Sequence, residues 1–180
     1  MAMKMLEAGG IPVLTDGIRT ADESNPRGYY EFEPVKELDK SGDLAWLPGA
    51  RGKAVKIISF LLLYLPDGYE YQVIFMHRDL GEVIASQNKM LVQRGERTDT
   101  TGDDRMRELY VAHVKKVERF LSNRRGISCL PVQYRNVVEN PQGEARRVSE
   151  FLGRRLDLDR MAAVADRGLY RNRGGPPREA

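Results

Sequence analysis

The sequence predicts an α/β fold with a mainly parallel sheet, and three observations carry that prediction. Short apolar runs with β-branched or aromatic members recur at Ile11–Leu14, Ala54–Leu63, Tyr71–Met76 and Ile127–Val132. Segments with apolar residues at three-four spacing lie between or after them, and Gly-, Pro- and Asp-containing stretches punctuate the two kinds. Strands that are apolar throughout are buried on both faces, and strands alternating with helices are joined by crossovers, which makes neighbouring strands parallel. In such sheets ligands bind at the carboxyl ends of the strands.

Taken in order, Met1–Ala8 is rich in helix formers and Gly9-Gly10 supplies a C-terminal stop. Ile11–Leu14 reads as a short strand, and Thr20–Gly28 as a loop. Tyr29–Pro34 mixes aromatics with carboxylates. Either the aromatics pack and the glutamates face water, or the segment walls a ligand cleft. Val35–Leu47 is weakly helical and ends near Pro48-Gly49; Ala54–Leu63 reads as one buried strand.

Tyr71–Met76 is the next strand, and it stops at His77-Arg78-Asp79. Asp79 can cap a helix carrying Val83, Ile84, Met90 and Leu91 at helical spacing. Arg94–Asp104 is polar and turn-rich, a mobile loop by composition. Asp103 or Asp104 can cap the following helix, where Met106, Leu109, Tyr110, His113, Val117, Phe120 and Leu121 share one stripe. His113 on that stripe reads as a packed residue. Ile127–Val132 gives another strand. Asn140-Pro141 is a helix start of capping side chain plus Pro at the first helical position, and Gly153 closes that helix after Ala145, Val148, Phe151 and Leu152. The tail from Asp166 is basic and Gly/Pro-rich.

Length and charge bound the function. The 180 residues suit a single domain, 1–180, and a formal net charge of +3 favours anionic ligands without arguing for nucleic acid. Cys129 is the single cysteine, set in an apolar run, so an internal disulfide is excluded. His77 and His113 lack neighbours at metal-ligand spacing, and no metal is expected. The longest apolar stretch, Ile57–Leu65, is too short to span a membrane, and no secretory h-region opens the chain. A soluble cytoplasmic protein follows as the expectation.

The candidate site is an anion site. Arg78 ends a strand and stands before a helix N-terminus, where backbone N–H groups and the helix dipole favour negative charge. Ser86 lies eight positions later, and helical side chains tilt toward the N-terminus, so one phosphate can touch both. The alternative is that Arg78 pairs with a nearby carboxylate while Ser86 is merely solvated.

Three stretches together resemble the P-loop sulfotransferases, in particular the bacterial sulfotransferase-like proteins. Arg78 to Ser86 is similar to the family's strand-Arg-helix-Ser element. Tyr134 through Asn140-Pro141 to Phe151-Leu152-Gly153 is similar to its Tyr, Asn-Pro and Phe-Leu-Gly stretch, and Asn25-Pro26-Arg27-Gly28-Tyr29-Tyr30-Glu31 to an NP-[KR]-GY segment. The resemblance spans Met1 to about Arg173. It implies a P-loop NTPase-like three-layer α/β fold and sulfuryl transfer from 3′-phosphoadenosine 5′-phosphosulfate to a hydroxyl or amine of a small-molecule or glycan acceptor, with no metal. Arg78 and Ser86 would hold the 3′-phosphate, Tyr134 would lie near the adenine, and Arg171 and Arg173 would add phosphate contacts.

The departures are equally specific. The family's first strand and its Gly/Ser/Thr-rich phosphate loop precede the helix that Met1–Ala8 resembles, and these residues contain no substitute loop, so the fold is expected to be N-terminally incomplete. In this architecture the missing strand is central; a rearranged sheet, a second subunit in a homo-oligomer or an upstream segment would fill its place. The Lys-Thr-His triplet of animal cytosolic members corresponds to Lys56-Ile57-Ile58-Ser59, without a His, which leaves Glu31 or Glu33 as candidate base. The resemblance therefore implies a sulfotransferase of weakened activity. A non-catalytic phosphoadenosine-nucleotide-binding or interaction module is the alternative reading, and a nucleotide kinase-like protein a third.

Overall fold

The computed structural model describes residues 1–18, 28–40, 42–83 and 101–165, with side chains from 105 onward in the last segment. Helix α1, Ala2–Ala8, ends where the Gly9 N–H bonds the Met5 carbonyl and Gly10 takes φ +97°, a conformation that favours glycine. Strand β1, Val13–Leu14, runs parallel to β2, Ala54–Val55. Strand β3, Tyr71–His77, runs parallel to β4, Ile127–Gln133, over seven residue pairs from Tyr71↔Ile127 to His77↔Gln133. The expected parallel α/β pattern is present.

Helices follow the strands. Helix α2 opens at Leu80 and is described through 83; α3 is Thr101–Asn123, α4 Tyr134–Glu139, α5 Pro141–Leu152 and α6 Leu158–Ala163. The sequence signals explain several boundaries. The Asn140 side chain accepts from the Gly143 N–H at 3.1 Å, Pro141 sits at the first helical position, and Gly153 closes α5 at φ +63°. Asp157 caps α6 in the same way, through the Arg160 N–H at 3.0 Å.

Two apolar clusters hold these elements. One gathers Met5, Leu6, Ile11, Val132, Val137, Ala145, Val148, Met161 and Val164, joining α1 to β4, α4, α5 and α6. The other gathers Val35, Leu38, Leu61, Leu62, Leu65, Phe75, Val117 and Leu121. Strand residues alternate between them: Ile74 and Met76 pack on the first, Val73 and Phe75 on the second. The strands therefore form a middle layer between two cores.

Five expectations need correction. Ala54–Leu63 is not one strand: β2 covers only Ala54–Val55, and Ser59–Tyr64 forms a 3-10 helix. An unbroken apolar run carries no period, so strand and helix cannot be told apart from it. Once helical, Leu61, Leu62 and Leu65 turn inward while Ile58 and Phe60 are 59% and 46% exposed. Val35–Leu47 is likewise helical only over Glu33–Lys40, as a 3-10 helix. Asp103 and Asp104 do not cap α3, which already begins at Thr101; the helix also takes residues 101–104 from the expected loop. The apolar stripe of α3 is buried only in its second half, at Val117 and Leu121, whereas Leu109 is 56% exposed. Finally, the described strands form two two-stranded sheets, β1–β2 and β3–β4, and share no ladder.

Candidate functional site

A cleft of about 1060 Å³ separates the two sheets. Its walls are β2 with the following residues to Ser59 on one side, β3 on the other, and α1 at its end; neither β1 nor β4 supplies a lining residue. The carboxyl ends of three strands converge here, where an α/β sheet binds ligands. Lys56 follows β2, Arg78 follows β3, and Tyr134 follows β4, and all three line the cleft.

Arg78 is held from two sides. Its Nε lies 3.2 Å from Oε2 of Glu82, one helical turn on, and its guanidinium sits 5.0 Å from the centre of the Tyr134 ring. Glu82 is 3% exposed. A carboxylate that far from water needs charge-assisted partners, so the pair has a structural reason of its own. The structure shows the carboxylate pairing of Arg78, and it also places Arg78 on the cleft lining beside an aromatic ring. Asp79 fixes the geometry by capping α2, with Oδ1 accepting from the Glu82 N–H at 3.0 Å. Just before it, His77 lies 3.6 Å from Glu118 of α3 and edge-on to Phe75.

The opposite wall carries a second cation. Lys56 donates to the Tyr29 carbonyl at 2.9 Å, stands 3.7 Å from Glu31 Oε1, and lies 5.9 Å from the centre of the Tyr29 ring. Glu31 itself does not line the cleft; its carboxylate reaches it through Lys56. Its backbone carbonyl accepts from the Thr15 hydroxyl and the Asp16 N–H, tying the segment to β1. Glu33, the other carboxylate considered as a base, bonds Lys36 at 2.6 Å on the surface. The aromatic-carboxylate segment is a cleft wall, through Tyr29 and Tyr30. Tyr30 is unusual in its positive φ of +52°, and its hydroxyl donates to Glu7 of α1. Burial, with that acceptor beside it, pushes the Tyr30 phenol up to about 12.

Two contacts escaped the sequence reading. Lys56 was legible by the same rule as Arg78, a basic residue just past a strand, once the strand is seen to end at Val55. The pairing of Ser59 Oγ with His113 Nε2 at 2.8 Å joins a cleft-lining hydroxyl to α3, and no local pattern announces it. His113 is therefore hydrogen-bonded rather than simply packed. Ser86, Arg171, Arg173 and Asn25-Pro26-Arg27 lie outside the described residues. Among the described residues no cluster of His, Cys, Asp and Glu could hold a metal, and no helix is long and apolar enough to cross a membrane. Cys129 is free and partly buried, and burial raises its thiol.

The family model described as "Sulfotransferase family" matches residues 44–158, more than half of the chain. This chain belongs to the sulfotransferase family. The match takes in β2, β3 and β4 with Lys56, Arg78 and Tyr134, which are the strand-end residues of the cleft. No curated protein and no solved structure matches.

Proposed function

We propose that the cleft binds 3′-phosphoadenosine 5′-phosphosulfate, with Arg78 at its 3′-phosphate and Tyr134 beside its adenine. The observation that supports this reading is the guanidinium over the Tyr134 ring at the ends of β3 and β4, within a family whose chemistry is sulfuryl transfer. A planar fork oriented on its Nε edge by Glu82 suits a phosphate better than a loose cation would. Ser86, and Arg171 and Arg173 in the tail, are the further phosphate contacts of this reading.

In sulfuryl transfer the acceptor's oxygen or nitrogen bonds to sulfur as the bond from sulfur to the nucleotide's phosphate oxygen breaks. Catalysis then depends on alignment and on positive charge near the departing oxygen. Lys56, on the wall facing β3, is the described cation suited to that charge, and Glu31 orients it. The ion pair favours this holding role for Glu31 over that of proton acceptor. The acceptor is a hydroxyl or amine of a small molecule or glycan.

The 180 residues contain no Gly-rich phosphate loop, and losing one preorganised donor costs roughly a hundred- to a thousandfold in rate. We therefore expect the purified 180-residue chain to bind the nucleotide and to transfer sulfate poorly. Calorimetric titration with adenosine 3′,5′-bisphosphate, against adenosine 5′-monophosphate as control, tests the reading. Preference for the bisphosphate by at least tenfold supports it, and equal or absent binding of the two overturns it. A non-catalytic nucleotide-binding module is the second reading; the pairing of Arg78 with Glu82, which serves the fold by itself, favours it, and it predicts the same binding with no turnover at all.

A further inference from the structure

Sulfuryl transfer needs a group to take the acceptor's proton, and the carboxylates near the cleft do not supply one. Glu31 is held by Lys56 and does not line the cleft. Among the described residues the carboxylate on the lining is that of Glu70, which precedes β3 and lies at the far end of that strand from Arg78. A base does reach the wall that carries Lys56. Ser59 lies three residues past Lys56, opens the 3-10 helix Ser59–Tyr64 and lines the cleft. Its Oγ lies 2.8 Å from Nε2 of His113 on α3. His113 does not itself line the cleft, although Tyr110, one turn earlier on α3, does. A part-buried imidazole therefore stands behind a hydroxyl that lines the ligand space.

The two groups have complementary capacities. A serine hydroxyl donates one hydrogen bond and accepts others, so it can accept from an acceptor's O–H while donating to an imidazole. It is too weak a base to keep a proton, whereas an imidazole takes one near neutral pH. The other use of a Ser–His pair, arming the serine as a nucleophile, needs a third group that orients the imidazole. Among the described residues Ser59 is the one hydrogen-bond partner of the His113 ring, so the pair is suited to moving a proton rather than to attack by serine. The surroundings select the acceptor as well. Ile57, Ile58, Leu62 and Tyr110 share the lining with Ser59. The many hydroxyls of a sugar placed there would lose water without gaining partners, which a single hydroxyl on an apolar body avoids.

We propose that Ser59 binds the acceptor's hydroxyl and that His113 takes its proton through Ser59, the acceptor being a hydroxyl on an apolar or aromatic body. The acceptor oxygen bonds to sulfur as the bond from sulfur to the donor's phosphate oxygen breaks. The acceptor's proton passes to Ser59 Oγ, and the Ser59 proton passes to His113 Nε2. Adenosine 3′,5′-bisphosphate leaves with the electron pair of the broken bond. Ser59 is the group in contact with the acceptor, and His113 acts through it. This role rests on the sulfuryl-transfer reading of the cleft and assigns its acceptor side.

The test follows the ring nitrogens of His113 and His77, the two histidines of the chain, by NMR in the 180-residue chain saturated with adenosine 3′,5′-bisphosphate. Phenol is the probe and methyl glucoside the control. Phenol shifts the His113 Nε2 signal and leaves His77 in place, and methyl glucoside shifts neither. Ser59→Ala abolishes the shift and weakens phenol binding about tenfold, the loss of one hydrogen bond, while Ser59→Thr keeps both. His113→Gln, folded to the same extent by circular dichroism, binds phenol nearly as well, because the amide can still hold the Ser59 hydroxyl. Its single-turnover transfer of sulfate to phenol nevertheless falls by on the order of a hundredfold. A merely structural role would not separate binding from transfer in this way. Bisphosphate binding with His113 unmoved by phenol, or moved equally by methyl glucoside, overturns the acceptor assignment and leaves the nucleotide reading standing. Transfer unchanged in His113→Gln, or absent from the unsubstituted chain, overturns the proton role. Failure of the bisphosphate to bind overturns the nucleotide reading and this role together.

Discussion

Glu82 and Glu144 are the charged side chains buried among the described residues, 3% and 5% exposed, and each is held by an arginine about one turn away. Glu144 takes both oxygens to Arg147 Nη1 at 2.7 Å, and Arg147 also reaches the Pro131 carbonyl at 3.3 Å. That arginine closes α5 onto β4 and does not line the cleft between the sheets. Arg78 makes the same kind of pair, yet stands at the end of β3, over Tyr134, on the wall of the cleft. A buried carboxylate with a nearby arginine is thus a structural device in one case and part of a candidate binding site in the other. The chemistry of the pair does not distinguish them; the place in the sheet does.

The sharpest way to break this comparison is to remove each arginine. Arg78→Ala and Arg147→Ala should each destabilise the protein by about 3 kcal/mol in denaturant titrations, because each removes the arginine that pairs with a buried carboxylate. Adding Glu82→Gln or Glu144→Gln, respectively, should recover most of that loss. If Arg78→Ala is harmless while Arg147→Ala is not, Glu82 is satisfied without Arg78 and the parallel between the pairs fails.

A second difference concerns the sheets that carry the site. β3–β4 has seven residue pairs and β1–β2 only two, Val13↔Ala54 and Leu14↔Val55. Amide exchange at Ala54 should accordingly be about a hundredfold faster than at Val73 or Phe75, as short ladders open locally. Comparable protection would show that β2 is held by something besides β1. Next in size is the cap of α5. Asn140→Ala should cost about 1 kcal/mol and Asn140→Asp much less, by thermal or chemical unfolding. A loss in Asn140→Ala that the aspartate shares would point to packing rather than capping.

The smallest effect is expected at alkaline pH, at the Tyr30–Glu7 contact between the cleft wall and α1. The Tyr30 phenol is raised from its ordinary 10.0 to about 12 in the folded protein. The folded state then keeps a proton that the unfolded chain releases. This contribution is complete below about pH 10 and is lost as pH rises toward 12. Tyr30→Phe should flatten that part of the stability profile; an unchanged profile would place the alkaline loss elsewhere.

Much of the β3–β4 half was legible because its signals are local. The Tyr71–Met76 run ends in Arg78-Asp79, Asp79 caps, Asn140-Pro141 starts α5 and Gly153 stops it, each within a few residues. The other half was not. Ala54–Leu63 is apolar without a period, and its split into a two-residue strand and a 3-10 helix depends on tertiary packing of Leu61, Leu62 and Leu65. The α3 stripe was real as a pattern, but a pattern names a face and not a partner, so exposed Leu109 could not be anticipated. The site divides in the same way. Arg78 and Tyr134 follow from the rule for strand ends, whereas Lys56–Glu31 and Ser59–His113 join residues far apart in the chain.

The central claim is that Arg78 is a binding residue as well as the partner of Glu82. It is tested most directly by titrating adenosine 3′,5′-bisphosphate into Glu82→Gln and into the double variant Arg78→Ala/Glu82→Gln, both of which avoid a buried carboxylate that has lost its arginine. The account predicts that Glu82→Gln binds and that the double variant, folded to the same extent by circular dichroism, binds at least tenfold more weakly. Equal affinity in the two would make Arg78 the counterpart of Arg147, a structural residue only, and would contradict the account.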